Sequence, residues 1–226
     1  MSTKDVGASR AARTAKSEQT RSRILDAARR LFNDRGTAAV STNHIAAEAS
    51  LSPGNLYYHF ADKQEIIRAL HERYAAANEG LWEPGPGTPV NLASLRTGLA
   101  CAMELAWEYR FFERELLALL RADPQLRDRY RGAYERRLGQ WLAFGEGLVA
   151  QGALRPPQPP ATITDLAIAI WLVGASWLPF LEITGDPRDP GQVTRGADLV
   201  LALLGPYLAG PADAGAGRES AGGERS

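Results

Sequence analysis

The residues best equipped for chemistry are few, and they cluster. His44, His59 and His71 are the histidines and Cys101 is the lone cysteine. No nucleophile–base pair and no metal-ligand spacing can be assembled from them, which argues against an enzyme and against a metal or other cofactor. Cys101 lies in an apolar helical stretch and reads as a small core residue, with a reactive thiol as the alternative. What stands out instead is a short polar run, Pro53-Gly54-Asn55-Leu56-Tyr57-Tyr58-His59-Phe60. Leu56 and Phe60 are four apart and share one helical face. Asn55, Tyr57, Tyr58 and His59 then carry hydrogen-bonding atoms that a core helix would have no use for.

The elements that must position this run follow from local signals. Ser41 is a good N-cap, and Ile45, Ala46 and Ala49 make an apolar face behind it. Ser50-Leu51-Ser52 interrupts the pattern, and Pro53 suits the first turn of a new helix. Two short helices joined by so tight a turn form a helix-turn-helix, whose second helix fits the DNA major groove.

Ile45-Ala46, Leu56-Tyr57-Tyr58-His59-Phe60 and Lys63 closely resemble the DNA-binding region of the TetR family of bacterial transcriptional regulators, over residues 20 to 70. Tyr109-Arg110-Phe111-Phe112-Glu113-Arg114-Glu115-Leu116, with Asp123-Pro124 and the stretch 130 to 137, resembles the C-terminal domain of one subgroup. One position departs: the turn carries Ser50 where the family usually has Gly. A left-handed Ser there costs about 1 kcal/mol relative to Gly. The resemblance implies base contacts from Asn43, Pro53, Gly54, Asn55 and Tyr57, and phosphate contacts from Thr42, Tyr58, His59 and Lys63. It also implies a homodimer on double-stranded DNA, formed through the last two helices, and a cytoplasmic repressor. A regulator or activator without a small ligand is the alternative.

Composition is compatible with this. The chain has 226 residues, 45% hydrophobic and 23% charged, with formal net charge zero. The charge is unevenly spread: residues 1 to 80 hold 12 basic and 9 acidic side chains, the remainder 14 and 17. A basic front and an acidic back suit a chain that meets phosphate with one end. No apolar run is expected to reach the roughly 18 residues of a membrane span, so no membrane partner is expected. The polar N-terminus does not point to export.

The expected fold is all-α. A disordered basic arm occupies 1–17, and a three-helix DNA-binding domain 18–63. A fourth helix over 62–78 connects it to a helical ligand-binding and dimerisation domain over 79–209. The tail, 210–226, is expected to be disordered. Pro-rich breaks fall at 83–89, 156–160 and 187–190. The dimer is expected to form through 162–184 and 191–209, which are apolar on more than one face. Met103, Trp107, Phe111, Phe112, Trp141, Trp171 and Trp177 are candidates to line a pocket for a small, largely apolar ligand. Each taken singly also reads as core packing.

Overall fold

A computed structural model of the chain describes residues 3–82 and 91–209, with side chains from residue 14. The Pro-Gly break at 83–89 and the tail from 210 lie outside the described residues. Among those described there are nine α-helices and no β-strand. They are α1 (Thr3–Arg35), α2 (Thr42–Glu48), α3 (Pro53–His59), α4 (Lys63–Gly80), α5 (Leu92–Glu108), α6 (Arg110–Ala122), α7 (Pro124–Ala150), α8 (Ile163–Thr184) and α9 (Pro190–Leu204). A short 3₁₀ turn, Gly205–Tyr207, follows. Helix α1 starts well before the expected residue 18, because its Ala-, Arg- and Lys-containing first half holds one glycine and no proline to stop it.

The chain divides into two compact units. One comprises the chain through Tyr74 together with Tyr109–Tyr130; the other comprises Ala75–Glu108 and the chain from Arg131. The divisions fall inside α4, at the junction of α5 and α6, and inside α7.

In the first unit, α1 presents Ile24, Ala28 and Phe32 to the core, α2 Ile45, α3 Leu56 and α4 Ile66 and Leu70, all fully buried. The helix-turn-helix alone is too small to bury these. Helix α6 completes the core with Phe111, whose ring lies 5.3 Å from Phe32 and 4.2 Å from Phe112. Buried Asn33 accepts the Phe111 N–H at 3.1 Å, which fixes the start of α6 against α1. At the start of α7, Asp123 accepts the N–H groups of Gln125 and Leu126, and Arg68 of α4 donates to its other oxygen at 2.6 Å. Burial alone would raise the Asp123 pKa. The Leu126 N–H, the Arg68 guanidinium and the Gln125 N–H outweigh it and hold the carboxyl below its ordinary value.

The second unit packs α5, α8 and α9 with the latter part of α7. Gly196 lets α9 approach closely, since a Cβ there would stand 2.6 Å from Trp177 and 2.8 Å from Met103. The Trp177 indole N–H donates to the carbonyls of Gln192 and Val193 and ties α8 to the first turn of α9. Helix α8 opens with a Thr162–Asp165 capping box.

One expectation needs correction. Helix α8 has 22 residues and is long and apolar enough to cross a membrane by length and composition; only 17% of its most apolar window is buried within the chain. Asp165, Ser176 and Glu182 interrupt the apolar run in the sequence, yet Leu172, Phe180 and Ile183 stand exposed, Ile183 by 85%.

Candidate functional site

The polar run of α3 is presented by a frame of caps. The Ser41 hydroxyl accepts the His44 N–H, and His44 Nδ1 accepts the Ser41 N–H in return, closing a box at the start of α2. Helix α2 ends with Leu51 N–H on the Ala46 carbonyl and Ser50 N–H on the Ala47 carbonyl. This is a Schellman closure with its left-handed residue at Ser50, φ +54°. Ser52 then caps α3 by accepting the Asn55 N–H, and Pro53 takes the first helical position.

Leu56 and Phe60 are buried and pin α3 from beneath. Pro53, Gly54, Asn55, Tyr57 and Tyr58 therefore face outward, Tyr58 81% exposed, while His59 is half-buried. On α2, Asn43 is exposed. Half-buried Thr42 shares a hydrogen bond of 2.9 Å with the Tyr57 hydroxyl, which ties the two short helices together at their outer surface. A Cβ at Gly54 would meet nothing within 4 Å, so the fold itself does not require glycine there.

Buttresses come from outside the motif. Arg21 donates to the His59 carbonyl at 2.8 Å and lies over the Phe60 ring, and Arg23 donates to the Ala49 carbonyl at 2.6 Å. Two arginines of α1 thus cap the C-terminal ends of α3 and α2. The Lys63 ammonium, at the start of α4, donates to the carbonyls of Thr37 at 2.8 Å and Val40 at 3.0 Å. Glu115, from α6, accepts the Thr37 N–H and hydroxyl. The α1–α2 turn is thus held from both sides, and no local pattern around Glu115 signals a partner 78 residues away.

In the second unit a cavity of about 50 Å³ is lined by Trp82, Leu99, Trp141, Phe144, Ile170 and Val200 among others, none of its lining residues ionisable. Of the seven pocket candidates, Trp141 lines it. Trp171 stands behind, 5.8 Å from Trp141 by ring centroids. Met103 and Trp177 pack α5, α8 and α9 together, and Trp107 rests partly buried on the same core. Phe111 and Phe112 do not line the cavity; they belong to the core of the first unit, because α6 folds there. Trp82 was not among the candidates; it follows α4 beside the Pro-Gly break, where no helical period marks it.

Comparison with known proteins accords with this geometry. Residues 24–70 match the family model for bacterial regulatory proteins of the tetR family, and residues 73–215 match that for bacterial transcriptional repressors of the TetR type. The chain is 42% identical over 53 residues to the HTH-type transcriptional regulator UidR of Escherichia coli, covering 24% of this chain and 27% of that protein. It is 36% identical over 76 residues to the HTH-type transcriptional regulator TtgR of Pseudomonas putida, covering 30% and 36%. The match therefore spans about a third or less of these curated relatives. A TetR-family transcriptional regulator from Marinobacter aquaeolei VT8 superposes with a TM-score of 0.75 at 34% identity, over 85% of this chain and 92% of that one. The chain belongs to the TetR family of bacterial transcriptional regulators.

Proposed function

We propose that the protein is a homodimeric, cytoplasmic repressor that binds a pseudo-palindromic operator and is released by a small, largely apolar ligand. The observation that carries this is the presentation of α3: two buried side chains beneath, and Pro53, Gly54, Asn55, Tyr57 and Tyr58 exposed on the outside. Asn55 pairs with adenine N6 and N7, and Pro53 and the Tyr57 ring pack on thymine methyls. Asn43 reaches a neighbouring base from α2. Thr42, Tyr58 and His59 sit on phosphates, with Lys63 lending the third hydrogen of its ammonium.

The dimer is supported by the apolar surface that α8 and α9 leave uncovered at Leu172, Phe180, Ile183 and Leu203. Two such helices from each of two copies bury one another as a twofold bundle, and twofold symmetry matches an operator with half-sites ~34–36 Å apart. Leu204, by contrast, is buried within its own chain. Ile183→Glu and Leu203→Glu should give a monomer by light scattering while leaving helix content unchanged. A dimer that survives both substitutions removes this interface.

The ligand enters the Trp82–Trp141 cavity and favours one of two states of the protein, the other being the one that binds operator. It can shift operator affinity only by its differential affinity for the two. The deciding experiment is binding to the DNA flanking the protein's own gene. Asn55→Ala should cost about 1–3 kcal/mol on the operator and much less on random DNA. Equal losses on both would overturn the assignment of α3 as the reading helix.

A further inference from the structure

We infer that the N-terminal half of α1 is a second DNA-contacting element, a helical strip whose Arg10, Arg13 and Lys16 sit on phosphates beside the groove that α3 enters. The inference rests on the reading of α3 as the DNA-reading helix. Helix α1 is packed along only part of its length. Ile24 is fully buried, Arg21 donates to the carbonyl of His59, the last residue of α3, and Arg23 donates to the carbonyl of Ala49, which caps α2. These three residues mark the face of α1 that carries the helix-turn-helix. The helix then runs back from Arg21 to Thr3, about 27 Å at 1.5 Å per residue. Thr14 through Gln19 are all exposed, so the rest of the chain does not cover the helix there.

The face that carries the helix-turn-helix changes character along α1. Helical period, about 100° per residue, puts Lys16 in line with Arg23, seven residues later, and Arg10 in line with Arg21, eleven later. Arg13 stands eleven before Ile24 and so takes the middle of the same face, where the packed half of the helix has its core. Ala8, Ala11, Ala15 and Glu18 fall on the opposite side, and Asp5 at one edge. An apolar stripe is thus continued as a basic one where α2 and α3 end. Helices α2 and α3 lie on this front of α1, and α3 exposes Asn55, Tyr57 and Tyr58 on its far side. DNA that meets α3 therefore also lies in front of α1, separated from it by the helix-turn-helix. Beyond His59 and Ala49 that layer ends, and a strip of long cationic side chains is left toward the duplex backbone. Contacts of this kind go to phosphates, and they add affinity without adding sequence preference.

The test uses the full chain and two variants. The first carries Arg10→Gln, Arg13→Gln and Lys16→Gln, which keep helix propensity and remove the charge. The second adds Ala8→Arg, Ala11→Arg and Ala15→Arg, which restore the net charge on the wrong side of the helix. Thermal unfolding of both should match the wild type. Binding to operator DNA and to random DNA of the same length is measured between about 50 and 200 mM salt. In both variants the slope of log K against log salt should fall by about 0.9 per lost phosphate, roughly 5 for a dimer, on both DNAs alike. The ratio of operator to random affinity should stay within about two-fold. Hydroxyl-radical footprints should show backbone positions protected by the wild type and open in both variants. An unchanged slope makes the strip a solvated tail; a face-swapped variant that binds like the wild type makes it undirected charge; a loss confined to operator DNA makes it a reader of bases. Each of these overturns the inference. The α3 reading is judged separately by Asn55→Ala, whose loss falls on the operator; if the wild type binds neither DNA, that reading falls, and this inference with it.

Discussion

Replacing Ser50 by Gly tests the helix-turn-helix at its tightest point. Ser50 holds φ +54° so that its own N–H and that of Leu51 can close α2 on Ala47 and Ala46. The left-handed region costs a residue with a Cβ about 1–2 kcal/mol. Glycine removes that cost but gives back about 0.5–1 kcal/mol through the larger entropy of its unfolded chain. The side chain of Ser50 is exposed and makes no described hydrogen bond, so nothing else is lost. Ser50→Gly should therefore stabilise the protein by about 0.5 kcal/mol, or about 1–2 °C in Tm. Ser50→Val, β-branched at the same angle, should destabilise it. Gly152 supplies the mirror experiment. It closes α7 with the same bonds at φ +69°, and a Cβ there would meet nothing within 4 Å. Gly152→Ser should cost about what Ser50→Gly gains, roughly 0.5 kcal/mol. The assay is urea unfolding followed by far-UV circular dichroism, with the denaturant slope unchanged across the set. If Ser50→Gly destabilises while Gly152→Ser is neutral, left-handed strain is not what governs these turns.

Three further outcomes follow from the same geometry. Gly54→Ala meets no steric obstacle and should raise helix stability by up to about 1 kcal/mol; weakened operator binding in that stabler variant would show that DNA, not the fold, needs the glycine, and unchanged binding would refute a close approach there. Glu115→Ala frees the Thr37 N–H and hydroxyl and should cost about 1.5–3 kcal/mol of stability. As a positioning residue Glu115 should also lower the ratio of specific to non-specific DNA affinity when removed, with partial rescue by Glu115→Gln, and an unaltered ratio would reduce its role to stability. Asp123, whose folded pKa is lowered from 3.8, contributes stability that is present above that value and lost as pH falls from about 5 through the folded pKa. The stability gap between wild type and Asp123→Asn should thus be widest near neutrality and close in acid; a gap independent of pH would exclude the Arg68 pairing as its source.

Much of the fold was legible because its signals are local. Ser41 marks the start of α2 by a bond to a group three residues away, Pro53 marks the first turn of α3 by the N–H it lacks, and the apolar face of Ile45, Ala46 and Ala49 follows from neighbours in sequence. The polar run of α3 stood out for the same reason: Leu56 and Phe60 define its inner face, so the outer face follows.

What the sequence by itself determined, then, is where the capped helices around the helix-turn-helix start and stop, which of their faces is apolar, and that one short helix is dressed to meet DNA; the start of α1 and the exposed apolar length of α8 it did not. Tertiary structure alone decided the rest. Phe111 and Phe112 read as pocket lining next to Trp107, yet α6 places them in the first unit's core, because a helix-turn-helix cannot bury its own apolar faces. Lys63 and Glu115 grip Thr37 across 26 and 78 residues of chain. Trp82 meets Trp141 from another helix, and the two indoles define the cavity only once the end of α4 and α7 lie side by side. Periodicity reports which face of a helix is buried; which partner buries it depends on packing that no window of neighbouring residues contains.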